Sequence, residues 1–259
     1  MLTFIFLSIA GFMAGFIDSV AGGGGLITLP ALIAVNVPPY IALGTNKFQS
    51  TIGTSFALMN FHRKAKVVWK LATIGIPFAL IASVVGARLA LVIPASILAK
   101  VIVVLIPPLA IFIFFSWQTA GGRRPTLDVG HSAPMANNKL KSWLTTIAVC
   151  SFIGLYDGFL GPGTGTFLII ALVIFSRIPL LNASATAKTF NLASNIGALA
   201  TFLISGYVYF PYALAMAGAN IAGNITGSHY AMKHGHGFIQ KVLLVSLTLL
   251  FGYLIWKYF

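Results

Sequence analysis

Apolar segments recur along nearly the whole chain, separated by short polar breaks or by breaks rich in glycine and proline. About 20 apolar residues in a helix cross the roughly 30 Å hydrocarbon core of a bilayer. The pattern therefore predicts an all-α, polytopic membrane protein. The predicted helices are 2–20, 26–36, 40–61, 71–92, 96–117, 142–160, 164–176, 180–205, 209–232 and 238–258.

Two of these segments, 26–36 and 164–176, are too short to span the hydrocarbon core. Each follows a glycine-rich break, at 22–25 or 161–165, and each ends near proline. Irregular backbone at membrane depth is tolerated only where it is buried in protein or lines a wet cavity. The short segments therefore indicate broken helices, and the pattern leaves open whether they span the membrane or re-enter it.

Composition excludes a water-soluble domain, because 58% of the 259 residues are apolar and only 7% are charged. A soluble protein carries about 25% charged residues. Sixteen Lys and Arg residues against three acids give a net charge of +13. In a membrane protein this excess sets the orientation of loops, so no nucleic-acid partner is predicted. The single cysteine, Cys150, excludes a Cys-rich metal site, and we expect no metal and no cofactor.

The two halves of the chain resemble each other. Residues 15–24 align with 154–163, which places Asp18 opposite Asp157. Residues 42–47 align with 183–188. We therefore predict two repeats of about five helical segments, one of them short or broken in each half. Their expected bounds are 1–117 and 142–259, joined by a cytoplasmic linker at 118–141.

Orientation follows from the basic residues, which concentrate in cytoplasmic loops. The loop at 62–70 and the linker are basic, whereas 206–211 is uncharged and is predicted to lie outside. With five segments per half, these assignments make the repeats inverted, which is the arrangement we expect. If the short segments re-enter the membrane instead, the repeats are parallel, and Lys233 and Lys241 fall outside against the rule.

Several motifs identify a known family by resemblance. They are residues 15–25 with Leu29 and Pro30, residues 42–47, and weaker second copies at 157–165 and 183–188. By these motifs, which occur in both halves, nearly the whole chain resembles the sulfite exporter TauE/SafE family of membrane permeases. The resemblance implies transport of sulfite, sulfonates and related small organosulfur anions across the inner membrane, without fixing one substrate. The second copy departs from the first where Ala187 replaces Asn46.

Asp18 and Asp157 lie near the ends of apolar helices. An ionised carboxylate inside a membrane must be paired, protonated or placed at a wet cavity. We interpret both as candidate coupling or gating residues. The alternative is a structural cap over the glycine break, or an ion pair with Lys47 or Lys188.

The breaks and the helices that follow them supply candidate groups for binding an anion. Helix N-termini attract oxyanions, and a buried ammonium group attracts them too. The predicted substrate-binding residues are Gly23, Gly24, Gly25, Thr28, Asn46, Lys47, Gln49, Gly163, Thr164, Thr166, Lys188, Asn191 and Asn195. The alternatives are close helix packing for the glycines, interhelical hydrogen bonds for the polar stripes, and lysines that reach the membrane interface.

Interrupted segments at corresponding places in two halves favour a transporter binding site. We therefore predict a secondary transporter that exports a small anion, binds it between the halves and alternates access, with proton coupling as one option. An anion channel is the alternative. No cluster of acids, histidines and a nucleophile is visible, so no enzyme is predicted. The expected partners are the anion and the lipid of the cytoplasmic (inner) membrane, and a homo-oligomer is left open.

Overall fold

The structure is a computed structural model that describes residues 1–63, 67–98, 100–102, 104, 108, 139–176 and 178–234. All regular secondary structure within these ranges is helical. The helices are α1 (Leu2–Ala21), α2 (Gly25–Ala34), α3 (Pro39–Arg63), α4 (Trp69–Val92), α5 (Lys139–Phe159), α6 (Thr164–Phe175), α7 (Leu180–Ile204) and α8 (Phe210–His234). Of the predicted helices, 96–117 lies mostly and 238–258 wholly outside the described residues.

Glycines end the first helix of each half. Gly22 has a φ of 79° and donates its N–H to the carbonyl of Asp18, so it caps α1 in the left-handed conformation that glycine adopts without steric cost. Gly161 and Gly163 have φ values of 88° and 78° between α5 and α6. The predicted breaks are therefore present, at the end of α1 and at the end of α5.

The segments that follow these breaks are short. α2 has 10 residues and α6 has 12. At 1.5 Å per residue, α2 is roughly 15 Å long, about half the thickness of the hydrocarbon core. The short segments expected from the sequence are therefore present as helices.

The helices form two bundles, and each bundle contains one helix from the other half of the chain. The first bundle contains α1, α2, α3 and α8, and the second contains α4, α5, α6 and α7. Each has its own apolar core, for example around Leu29 and Leu43 in the first and around Leu168 and Phe190 in the second. The bundles meet mainly along α3 and α7.

Small residues allow the exchanged helices, α4 and α8, to approach their neighbours α5 and α1 closely. Gly223 and Gly227 on α8 face the backbone of α1 at Phe12 and Phe16. In the second bundle, Gly154 on α5 faces the backbone of Ala79 on α4. Glycine gives this close approach in membrane helices, and a Cβ at any of these positions would overlap the neighbouring backbone.

The two central helices run in opposite directions. Gly44 of α3 packs on Phe202 of α7, and Lys47 contacts Asn195. Residue numbers therefore rise along α3 as they fall along α7. The two helices have the same length, 25 residues.

Polar and apolar residues are distributed as a membrane protein requires. Leu2–Val20 and Trp69–Val92 are long and apolar enough to cross a membrane. Phe152 is 79% exposed on the outer surface, whereas Lys47 and Lys188 are each 1% exposed at the centre. In a soluble protein these positions would be reversed. This distribution is the one expected of a membrane protein, whose apolar surface faces lipid.

Candidate functional site

Two ion pairs lie between the bundles, and each joins the two halves of the chain. The ammonium group of Lys47 on α3 lies 2.8 Å from Oδ1 of Asp157 on α5. The ammonium group of Lys188 on α7 lies 2.9 Å from Oδ2 of Asp18 on α1. The ion pairs anticipated as one alternative are therefore present. Neither lysine extends to a membrane interface, so that alternative is wrong.

The surroundings of Asp157 are dense with hydrogen-bond donors. Thr164 donates its hydroxyl to Oδ1 and Ser194 donates its hydroxyl to Oδ2, both at 2.7 Å. Lys47 makes a second bond, 3.0 Å long, to Oδ1 of Asn195. The Asn195 amide in turn donates to Asn191 at 3.3 Å. Both carboxylate oxygens therefore have donors from other helices or from the start of α6.

The surroundings of Asp18 are sparser. Besides Lys188, its Oδ2 accepts one hydroxyl bond, from Thr54 at 3.3 Å. Lys188 also donates to the backbone carbonyl of Asp18. The side chain of Asp18 is 13% exposed, compared with 2% for Asp157. The two aspartates occupy corresponding places in the sequence but have different surroundings.

A third polar group lies in the first bundle. The Thr28 hydroxyl on α2 donates to Oδ1 of Asn46 on α3, and the Gln49 amide donates to the same oxygen at 3.0 Å. Gln49 is fully buried, and its Oε1 has no hydrogen-bond partner among the described residues. A buried carbonyl without a donor costs about 1–3 kcal/mol, so this oxygen can accept a bond from a further hydrogen-bond donor.

The two glycine breaks touch each other at the centre of the protein. The N–H of Thr166 donates to the carbonyl of Gly22 at 3.2 Å. A Cβ on Gly22 would overlap the backbone of Gly165, whereas a Cβ on Gly25 would make only an ordinary 3.4 Å contact with Cα of Pro162. Close packing, the alternative to anion contact, therefore applies to Gly22 and Gly165.

The same breaks retain free donors. In the first turn of α2, the N–H groups of Leu26 and Ile27 bond back to the carbonyls of Gly23 and Gly24. Within the described part of the chain, the N–H groups of Gly23, Gly24 and Gly25 have no acceptor. These groups lie at the positive end of α2, so contact with an anion stays a prediction.

The predicted site residues are therefore gathered around three centres. Lys47, Asp157, Thr164, Asn191 and Asn195 form one, Lys188 and Asp18 form the second, and Thr28, Asn46 and Gln49 form the third. The remaining predicted residues, Gly23, Gly24, Gly25, Gly163 and Thr166, lie in or directly after the touching breaks.

The sequence interpretation missed two buried asparagines on α8. Asn220 donates to the carbonyl of Gly11 at 3.1 Å, and Asn224 donates to Oδ1 of Asn220 at 2.7 Å. Both face Gly53 of α3, where a Cβ would overlap Asn220. Their spacing of four residues puts them on one helix face, as for Asn191 and Asn195, and that spacing could have revealed them.

The structure also contains two matching bonds that the sequence did not predict. Thr45 accepts the N–H of Tyr209 at 3.1 Å, and Thr186 accepts the N–H of Val68 at 3.0 Å. Thr45 and Thr186 occupy the same place in the aligned motifs. Each bond ties the third helix of one half to the residue just before the fourth helix of the other half.

No group of three or more His, Cys, Asp or Glu side chains within the described ranges could hold a metal ion. The chemistry of the described centre is therefore that of ammonium, carboxylate, amide, hydroxyl and backbone N–H groups. Ammonium and N–H groups complement an oxyanion, and the carboxylates balance the lysines when no anion is bound.

Comparison with known proteins gives consistent matches over most of the chain. A protein of a Sinorhizobium species named probable membrane transporter protein ORF9 is 36% identical over 249 residues, which cover 94% of this chain and 89% of that protein. A probable membrane transporter protein of Haemophilus influenzae is 33% identical, with coverage of 91% and 88%. The probable membrane transporter protein YfcA of Escherichia coli is 31% identical, with coverage of 90% and 82%.

No solved structure matches the chain significantly. The family described as Sulfite exporter TauE/SafE matches residues 7–254, which include both ion pairs and both glycine breaks. The chain therefore belongs to the sulfite exporter TauE/SafE family of membrane transporters.

Proposed function

We propose that this protein is a secondary transporter that exports sulfite or small organosulfonates across the cytoplasmic membrane. The observation that carries the proposal is the pair of buried Asp–Lys bridges, each of which joins the two bundles at a glycine break. Charged side chains inside a membrane are costly and mark ion pathways. The substrate class rests on the family, and the positive groups at the centre suit an anion.

We further propose that the two halves are inverted repeats. The helices of the first half have 20, 10, 25 and 24 residues, and those of the second half have 21, 12, 25 and 25. The matching bonds of Thr45 and Thr186 support a pseudo-two-fold axis. Because α3 and α7 are antiparallel, an axis that exchanges them lies perpendicular to both. If they cross the membrane, that axis lies in its plane, as in other inverted-repeat transporters.

Inverted repeats give a testable topology. In a variant whose native Cys150 is replaced by alanine, Pro38→Cys and Ser205→Cys are expected to react with an impermeant thiol reagent from the same, outer side of the cell. The positions 38 and 205 are exposed, whereas Cys150 is buried. Parallel repeats would place Ser205 inside, so labelling of this position only after the cells are opened contradicts the inverted arrangement. His62→Cys, in the basic loop, is the inside control.

In the transport cycle, the two bundles are the units expected to move against each other. Each sequence half contributes its fourth helix to the opposite bundle, so the moving units are not the sequence halves themselves. The two ion pairs and the α3–α7 contact are the main connections between the bundles. An anion that binds at the centre competes with the aspartate of one such pair for its lysine, which links substrate binding to the relative position of the bundles.

The function itself is tested by anion flux in proteoliposomes. Purified protein is expected to give saturable uptake of sulfite or of a small sulfonate, and preloading the vesicles with the same anion should accelerate uptake of the labelled anion by exchange. Uptake rates of sulfate, thiosulfate and sulfonates, measured at two pH values, show which anion is the preferred substrate. Empty liposomes are the control. Unitary currents without exchange would favour an anion channel, and the lack of flux for every anion would contradict the proposal.

A further inference from the structure

The difference between the two ion pairs originates in two sequence positions. Thr164 and Ser194 supply the two hydroxyl bonds to Asp157. When 15–24 is aligned with 154–163, and α3 is aligned end to end with α7, the corresponding residues of the other half are Gly25 and Gly53. Glycine has no hydroxyl group to donate. Asp18 therefore lacks both of the bonds that hold Asp157.

These donors set how many bonds each carboxylate would have to give up. Hydrogen bonds and opposite charges favour the ionised form of a carboxylate. Protonation of Asp157 would weaken bonds from Lys47, Thr164 and Ser194 in a site that is 2% exposed. Protonation of Asp18 would weaken one ion pair and one 3.3 Å hydroxyl bond in a site that is 13% exposed. Asp18 therefore has fewer bonds that would be lost if its pair opened.

The charged groups around Asp18 leave Lys188 as its main partner. Lys188 approaches from α7, and Lys47 on α3 interacts with Asp18 electrostatically at longer range. α2 and α6 contain no titratable residue. No titratable side chain of α8 bonds to Asp18 in the described part of the protein. Loss of the Asp18 charge therefore leaves the ammonium group of Lys188 without a counter-ion, with its bond to the backbone carbonyl of Asp18 still in place.

A freed Lys188 has further donors beside it. Gly24, at the start of α2, is so close to Asp18 that an added Cβ would lie 3.0 Å from Cβ of that residue. The N–H groups of Gly23, Gly24 and Gly25 have no acceptor among the described residues. The Asp18 side of the centre thus offers positive charge together with backbone N–H donors that have no acceptor there.

We propose that only the Asp18–Lys188 pair opens during transport, and that one proton and one anion bind there together. A proton from water is added to the Asp18 carboxylate, the ammonium group of Lys188 stays protonated and transfers its contact to the anion, and Asp157–Lys47 stays closed. This inference rests on the proposed function, because it assumes that an anion is the substrate. The proton comes from a solvent hydronium ion, which leaves as water, and no other covalent bond forms or breaks.

Charge balance then defines the transport mode. The closed pair is neutral, and the site with a protonated Asp18, a charged Lys188 and a monovalent anion is neutral too. Movement of a monovalent anion with one proton therefore transfers no net charge, so the membrane potential does not drive it, and export follows the combined concentration gradients of the anion and the proton. By thermodynamic linkage, each ligand strengthens the binding of the other by the same factor. Anion affinity should thus fall by about tenfold per pH unit once Asp18 is ionised in the free protein.

The test measures binding of methanesulfonate to the purified full-length protein in nanodiscs, from about pH 6 to about pH 9. This anion keeps its single charge across the range, whereas sulfite itself titrates there. We expect the dissociation constant of the unaltered protein to rise by about tenfold per pH unit on the alkaline side. In Asp18→Asn, an uncharged mimic of the protonated state, we expect binding that varies by less than about twofold over the range.

Two matched variants keep the test decisive if Asp18→Asn does not fold. Thr54→Val removes the hydroxyl bond to Asp18, so the pH midpoint of binding should move to higher pH. Ser194→Ala removes a hydroxyl bond to Asp157 and should leave that midpoint in place. A pH-independent dissociation constant in the unaltered protein, or a midpoint that moves in Ser194→Ala and not in Thr54→Val, would overturn the inference while anion transport stands. Lack of binding at every pH would overturn both proposals.

Discussion

Replacement of Lys47 by methionine is expected to lower the free energy of unfolding by about 3–5 kcal/mol, the usual cost of breaking a buried ion pair by removing one partner. The carboxylate of Asp157 would remain 2% exposed without its counter-charge. The hydroxyl bonds of Thr164 and Ser194 do not supply a positive charge. Thermal or denaturant unfolding of the purified protein in detergent measures the loss of stability, and anion flux should be absent from the same preparation.

Lys188→Met is the matched control for this prediction. It leaves Asp18 unpaired, but Asp18 is 13% exposed and has fewer hydrogen bonds to lose. A partly solvated carboxylate is less costly to leave without a partner, so the loss of stability should be about 1–2 kcal/mol smaller than for Lys47→Met. An equal or larger loss for Lys188→Met would contradict the difference between the two pairs.

A second control neutralises the whole pair. Lys47→Met combined with Asp157→Leu removes both charges, so no ion remains without a partner. Replacing both members of a buried pair by apolar residues is often neutral or even stabilising. The double variant should therefore recover most of the stability lost in Lys47→Met. A double variant that is as unstable as the single one would show that the packing of the lysine side chain, and not its charge, stabilises this site.

Much of the fold could be predicted from local sequence, because the physical signals for helix ends are local. The apolar run that ends at Gly22 predicted the end of α1, and the structure places that end at Ala21. Short α2 followed from the distance between the glycine run and Pro38. These signals act within a few residues of the break, so they do not require knowledge of the tertiary structure.

The pairing of the charges could not be predicted in the same way. Each half contains one aspartate before a glycine break and, at similar spacing after it, a lysine in the aligned motif, so pairing within a half and pairing between halves fit the sequence equally well. The structure selects pairing between halves because α3 and α7 cross at the centre and place each lysine beside the other half's break. The exchange of α4 and α8 between bundles is likewise a tertiary property that no local pattern shows.

The different surroundings of the two aspartates were present in the sequence but were not recognised. The aligned positions contrast Gly25 with Thr164 and Gly53 with Ser194. Which hydroxyl groups reach the carboxylate depends on helix packing, because Ser194 bonds from α7 to a residue of α5. An alignment of the halves therefore finds the candidate positions, and geometry decides which of them bond.

Replacement of Gly22 by alanine is expected to destabilise the protein by about 2–5 kcal/mol and to abolish transport. Two costs combine at this position. The φ of 79° is unfavourable for any residue with a Cβ, and that Cβ would overlap the backbone of Gly165. At the same contact, the N–H of Thr166 donates to the carbonyl of Gly22, and this hydrogen bond joins the two bundles. Folded yield by size-exclusion chromatography and unfolding in detergent measure the effect.

Substitutions at two other glycines measure the conformational cost and the steric cost separately. Gly206 has a φ of 76° with nothing within 4 Å of an added Cβ, so Gly206→Ala carries only the conformational cost, about 1–2 kcal/mol. Gly165 does not have a positive φ, but its Cβ would lie 2.5 Å from Cα of Gly22, so Gly165→Ala carries only the steric cost. The loss in Gly22→Ala should approach the sum of these two losses. If Gly22→Ala costs no more than Gly206→Ala, the two breaks can separate without loss of stability, and their contact does not hold the bundles together.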